Sequence, residues 1–216
     1  MDQETLKCLA EAYIEHHVLL LRDQTPTLEA YARYARQWGA PRINEGFSEL
    51  AVAGIEGMNK VGNVGILSGD EYRNGASFWH TDCAAEVDPN AATMLYCHQA
   101  PTSGGETVIA DLQAAYEALS TAERDEIEPL LAEHAFSGSR EIIGGVEDWE
   151  YPVHKMSAET IKNLPPPTLH RLVRTHSVTG RRGLYSPAGS IIGIEKMSAD
   201  KAHTLLRRLK LHAIDP

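Results

Sequence analysis

Phe78-Trp79-His80-Thr81-Asp82 sets an imidazole and a carboxylate two residues apart. In an extended segment, side chains at that spacing share a face. A His80 nitrogen and an Asp82 oxygen can therefore meet on one metal ion. Such a pair is two-thirds of the two-histidine, one-carboxylate set that holds Fe(II) and leaves open positions. The three positions left open suit an oxygenase, two for a chelating cosubstrate and one for O2. As a bare tripeptide, His-x-Asp is common and carries little information. Its surroundings add weight: an aromatic pair and a Gly/Asn/Ser stretch precede it, and a strand pattern, a Gly-Gly turn and a second strand pattern follow.

Outward from this stretch, the N-terminal side reads as helical. Leu6, Leu9, Ala10, Tyr13, Ile14 and His17 recur at helical spacing and predict an amphipathic helix over 3–17. Val18 to Leu21 reads as a short buried strand. Thr27 caps a second helix with Leu28, Tyr31, Ala32, Ala35 and Trp38 on one face, and Gly39 stands where a left-handed C-terminal residue is wanted. Residues 42–78 read as strands and loops. On the other side, 91–98 and 106–110 read as two strands joined by the Pro101 to Gly105 turn. Asp111 caps a short helix carrying Leu112, Ala115, Tyr116 and Leu119. Ser120 with Glu123 forms a capping box for a helix reaching about Leu131. Residues 138–168, with three prolines at 165–167, read as a long surface excursion of the kind that forms lids. Leu172–Ser177 and Gly183–Ser186 read as strands about a Thr179-Gly180 turn. Ser198 caps a last helix with Ala202, Leu205, Leu206 and Leu209 on one face. Strand and helix do not alternate, so an α+β or β-sandwich core decorated with helices fits better than a doubly wound sheet.

Composition sets the class. The 216 residues suit a single domain. Hydrophobic residues at 43% and charged residues at 23% are ordinary for a soluble globular chain. A formal charge of −10 gives no general attraction to nucleic acid or anionic membrane. No apolar run approaches a membrane span, and the start, Met1-Asp2-Gln3-Glu4, lacks the basic and apolar pattern of a secretory leader. Cys8, Cys83 and Cys97 are odd in number and unpaired in spacing, which fits a reducing cytoplasm rather than a disulfide scaffold.

Four ordered blocks carry a resemblance. They are His17 to Gln24 with the helix ending Trp38-Gly39; Trp79-His80-Thr81-Asp82; Ala100-Pro101-Thr102-Ser103-Gly104-Gly105-Glu106-Thr107 running on to Ser120; and Leu172-Val173-Arg174-Thr175-His176 with Thr179 to Arg182 and Leu184-Tyr185. In these the chain resembles the taurine dioxygenase-like family of Fe(II)/2-oxoglutarate-dependent oxygenases, which includes the 2,4-dichlorophenoxyacetate dioxygenases. The resemblance implies a mainly β, double-stranded β-helix (jelly-roll, cupin-like) core with flanking helices. It implies His80 and Asp82 as iron ligands, Thr107 as the hydroxyl that binds a 2-oxoglutarate carboxylate, and Fe(II), 2-oxoglutarate and O2 as the cofactor set. The implied reaction hydroxylates a small, anionic organic substrate and releases succinate and CO2. Homo-oligomerisation is compatible with it. Arg174 and His176 lie in a family block and are assigned no chemistry; Trp79 and the 138–168 excursion are placed near the substrate.

The family pattern also has a third histidine ligand and a later arginine for the far carboxylate of 2-oxoglutarate. The family-like text stops near Leu211, before both. The expectation is one oxygenase domain over 1–216 whose last strands are missing. His203 and His212 are separated by about 13–14 Å of helical rise and do not share an ion; His16, His17, His98, His154 and His170 read as surface or packing residues. Losing the arginine removes a charge-assisted contact worth a few kcal/mol, roughly a hundredfold in affinity. The 216-residue chain alone is therefore expected to be nearly inactive. A truncated, non-catalytic paralogue is the alternative, and a zinc hydrolase built on His80 and Asp82 is a third reading.

Overall fold

The computed structural model describes residues 1–43, 50–62, 79–135 and 165–215. They fall into two compact units interleaved along the chain, one of Met1–Ser68 and Ala92–Glu106, the other of Gly69–Ala91 and Thr107–Pro216.

The first unit holds α1 (Gln3–His16) and α2 (Leu28–Ala35). Asp2 starts α1 by accepting the Thr5 N–H at 2.8 Å, which satisfies one of the unpaired donors of the first turn. His17 ends it in a left-handed conformation, φ 63°, with its N–H donating to Tyr13. Thr27 caps α2 as expected, accepting from Ala30 at 3.2 Å. Trp38 receives the ring edges of Tyr13 and Tyr34, with centroids 5.8 and 6.2 Å away, and Tyr31 packs on Tyr96 at 5.5 Å. Two expectations fail here. Val18 to Leu21 forms no strand, and Val18, Leu20 and Leu21 are exposed. Gly39 is not the left-handed cap, because α2 already closes at Arg36 in right-handed geometry. Of residues 42–78, those at 44–49 and 63–78 lie outside the described set; the rest contribute one bridge, Ala51 with Asn59.

The second unit holds the core. Asp111 caps α3 (Leu112–Ala118) through two backbone N–H groups, and the Ser120–Glu123 box opens α4 (Thr121–Ile127). The helix expected to reach about Leu131 ends at Ile127, and the chain then enters β1 (Leu131–His134). β1 lies between β2 (Thr168–Arg171) and β5 (Ile191–Ile194) in an antiparallel sheet of order β2-β1-β5. The register pairs Leu131 with Arg171 and Ala132 with Ile194. β3 (Val173–Thr175) and β4 (Arg182–Leu184) form the expected hairpin, shorter than its sequence pattern, across the Thr179-Gly180 turn. The last helix, α5 (Ala199–Ile214), buries the predicted Ala202, Leu205, Leu206 and Leu209 against β5 and α3.

Ile127, Ala132, Leu172, Ile191, Leu206 and Leu209 are fully buried and join these layers. Each such large side chain contributes about 1.5–3 kcal/mol by leaving water. Polar ties close the periphery. Arg208 on α5 reaches Glu123 and Glu126 on α4 at 2.7 and 2.8 Å. Arg181 reaches Glu117 on α3, and Arg182 and the Tyr116 hydroxyl share Glu128. The segments 91–98 and 106–110, expected as strands, form no ladder among the described residues. Leu95, Val108 and Ile109 stay exposed. Most of the 138–168 excursion, residues 138–164, lies outside the described set.

Candidate metal-ligand pair

Trp79 to Thr81 carry no regular element, and Asp82–Ala85 form a turn. Ala84 N–H donates to Thr81 and Glu86 N–H to Cys83, and Cys83 takes a positive φ of 55° to make the bend. The two predicted ligands therefore meet by a turn rather than by strand alternation. They do meet: His80 Nε2 stands 3.2 Å from Asp82 Oδ1, with side chains 33% and 46% exposed. Two donors held about 2.1 Å from one octahedral ion at a right angle stand about 3 Å apart. The pair therefore has the bite of two adjacent positions on a single metal and stays open to solvent on one side. Thr107 is exposed and lies in an irregular segment rather than at the head of a strand. Among the described residues, no three His, Cys, Asp or Glu side chains gather as a metal set.

The turn rests on groups from the sheet and its loops. The Tyr185 hydroxyl donates to the carbonyl of Ala84 at 3.0 Å. His170 Nε2 lies 2.8 Å from the carbonyl of Glu86. Since a carbonyl only accepts, that nitrogen carries the proton. The rings of His170 and Tyr185 meet edge-on at 4.9 Å, and His134 packs against both at 5.5 and 5.3 Å. His134 is fully buried, and its Nδ1 is 2.9 Å from Ser190 Oγ. Burial first, and the neighbouring His170 second, push its pKa down to about 4, so the ring is neutral near pH 7. Arg174 places its guanidinium 4.7 Å above the Tyr185 ring, a cation–π contact. Burial raises the Tyr185 phenol, and Arg174 works against that rise.

Gly189 completes the seat. A Cβ built there lies 2.9 Å from His80 Cβ and 3.4 Å from the Trp79 carbonyl, and its φ is +78°. Only glycine combines that backbone with that approach.

Other histidines do structural work. His176 Nδ1 accepts the N–H groups of Val178 and Thr179 and shapes the β3–β4 turn. His212 reaches the Ala115 carbonyl at 2.8 Å, tying α5 to α3. His154 lies outside the described residues. Sequence reading overlooked His134 and Gly189 and gave His170 only a surface or packing place. A polar ring at an inward position of a four-residue strand was the available signal for His134.

A family model described as taurine catabolism dioxygenase TauD, TfdA family matches residues 1–216. The chain belongs to the TauD, TfdA family. A 2,4-dichlorophenoxyacetate dioxygenase of Cupriavidus pinatubonensis, dependent on alpha-ketoglutarate, is 29% identical over 209 residues, covering 92% of this chain and 69% of that protein. A putative alpha-ketoglutarate-dependent sulfonate dioxygenase of Schizosaccharomyces pombe is 27% identical over 206 residues, 94% of this chain and 50% of that one. Among solved structures, AAD-2 in complex with Mn(II) and N-oxalylglycine is 28% identical with a TM-score of 0.69, covering 100% of this chain and 71% of that one. A taurine dioxygenase from Burkholderia xenovorans is 25% identical with a TM-score of 0.71, covering 100% and 65%.

Mn(II) there stands for Fe(II), and N-oxalylglycine for 2-oxoglutarate. Fe(II), 2-oxoglutarate and O2 are the cofactor set of TauD, TfdA family dioxygenases, as the sequence implied. The relatives named above differ in substrate, so membership fixes the enzyme class and leaves the substrate open. No helix among the described residues is long and apolar enough to cross a membrane.

Proposed function

We propose that this chain is the larger part of one cytoplasmic oxygenase domain, with a double-stranded β-helix core, that hydroxylates a small organic anion and forms succinate and CO2. The 3.2 Å convergence of His80 and Asp82 carries the reading. His80 and Asp82 hold the iron, and Thr107 donates its hydroxyl hydrogen bond to a 2-oxoglutarate carboxylate. When bound, the metal supplies activation of O2 and the oxidising chemistry. The protein's part is to fix the two donors, orient the cosubstrate and keep bulk water away. The third ligand and the arginine for the far carboxylate belong to a continuation of the chain. The 69% coverage of the Cupriavidus relative supports that placement.

Anaerobic Fe(II) titration tests the ligands. His80→Ala and Asp82→Ala should each weaken binding by about tenfold or more, the scale already seen for partners one step removed from a metal. Unchanged affinity in both overturns the assignment. Succinate release from 2-oxoglutarate is expected to be weak for the 216-residue chain and strong once the reading frame past codon 216 is included.

A further inference from the structure

We infer that Tyr185 and His170 are positioning residues that pin the Asp82–Glu86 turn and so fix the separation of the His80 and Asp82 donors. The inference rests on the reading of that pair as metal ligands. Three observations converge on one short turn. Tyr185 immediately follows β4 and donates to Ala84, two residues after Asp82. His170, from β2, donates to Glu86, four residues after Asp82. Gly189, in the loop before β5, lets its backbone lie against His80 at the other end of the pair. The turn is thus held at two alternate carbonyls, those of Ala84 and Glu86, on one side and by backbone contact on the other.

The posts are themselves braced. Tyr185 is 9% exposed and Ala84 2%, so their hydrogen bond has little competition from water. His134 sits edge-on to both post rings, and its Nδ1 holds Ser190 next to Gly189. Arg174 covers Tyr185 from another side. A turn with Cys83 at positive φ has no ladder to keep it in place. Beyond its own two backbone hydrogen bonds, its carbonyls at Ala84 and Glu86 are held by Tyr185, just after β4, and His170, on β2, both far away in the chain. A metal pair separated by one residue is sensitive to this, because small backbone rotations at 81–83 change the distance between the two donors.

The test uses the 216-residue chain with Mn(II) as probe, followed by electron paramagnetic resonance, and amide hydrogen exchange at Ala84 and Glu86 without metal. Tyr185→Phe removes one hydroxyl and keeps the ring. His170→Leu removes the other donor, and His170→Gln restores an N–H in its place. We expect exchange at the two amides to quicken about tenfold in Tyr185→Phe and His170→Leu, and Mn(II) affinity to fall by about tenfold. His170→Gln should recover both. Leu206→Ala, a core variant away from the turn, should lower thermal stability without moving Mn(II) affinity. Exchange at wild-type rates in both post variants overturns the inference, whatever the metal does. So does wild-type Mn(II) affinity in both, when His80→Ala abolishes binding. If His80→Ala leaves affinity untouched, the ligand reading fails by itself, and the exchange rates still decide whether the posts hold the turn.

Discussion

α5 and α1 are of similar length and are held in opposite ways. α5 buries Ala202, Leu205, Leu206, Leu209 and Lys210 in the second unit, and its polar face is tied to α4 by Arg208. α1 buries no residue fully; it has an Asp2 cap, an exposed Lys7–Glu11 pair and the edge contact of Tyr13 with Trp38. Caps and exposed pairs are each worth about 1 kcal/mol or less, whereas a buried leucine is worth several times that. The lesson is that regular geometry and a good cap do not measure how firmly a helix is held. The candidate ligand turn belongs to the firmly held unit.

The largest effect should come from Leu206→Ala, at about 2–5 kcal/mol of unfolding free energy in denaturant titration. A loss below that of Asp2→Ala in α1 would break the contrast. Acid comes next. Unfolded, His134 titrates near 6.5; folded, burial holds it at about 4. Between those values the unfolded chain takes up a proton that the native ring refuses. Stability should therefore be full above pH 6.5 and fall as pH drops toward 4, by up to roughly 3 kcal/mol. Thermal melts of His134→Gln should lose most of that slope, and an equal slope in the variant would remove His134 as its source. The smallest effect is that of Ser120→Ala, which deletes half of the capping box at the start of α4 and should cost about 1 kcal/mol.

The features legible in the sequence were those settled within one turn of chain. Asp111, Ser120 with Glu123, and Thr27 act on N–H groups two or three residues away, and all were read correctly. The apolar face of α5 was legible for the same reason, because helical periodicity is local. β1, β2 and β5 were missed. Leu131 continues an apparently helical pattern, and it becomes a strand only because Arg171, forty positions on, pairs with it. The reverse error was made at 18–21, 91–98 and 106–110. There the composition suits strands, yet a strand needs a partner as well as a composition. At the site, the His-x-Asp spacing announced the donor pair but gave the wrong local geometry, a strand in place of a turn. The supports were silent because Tyr185, His170 and Gly189 reach the turn only after the sheet has formed.

Gly189 has an implication for how such chains diverge. A lineage can keep His80 and Asp82 letter for letter and still lose the pair if a side chain appears at position 189, since the new Cβ would lie 2.9 Å from that of His80. The geometry of the pair thus depends on a discontinuous pattern that includes a residue with no functional group at all. On the reading of His80 and Asp82 as ligands, a copy with a side chain at 189 would have to shift its backbone before the two donors could meet as they do here.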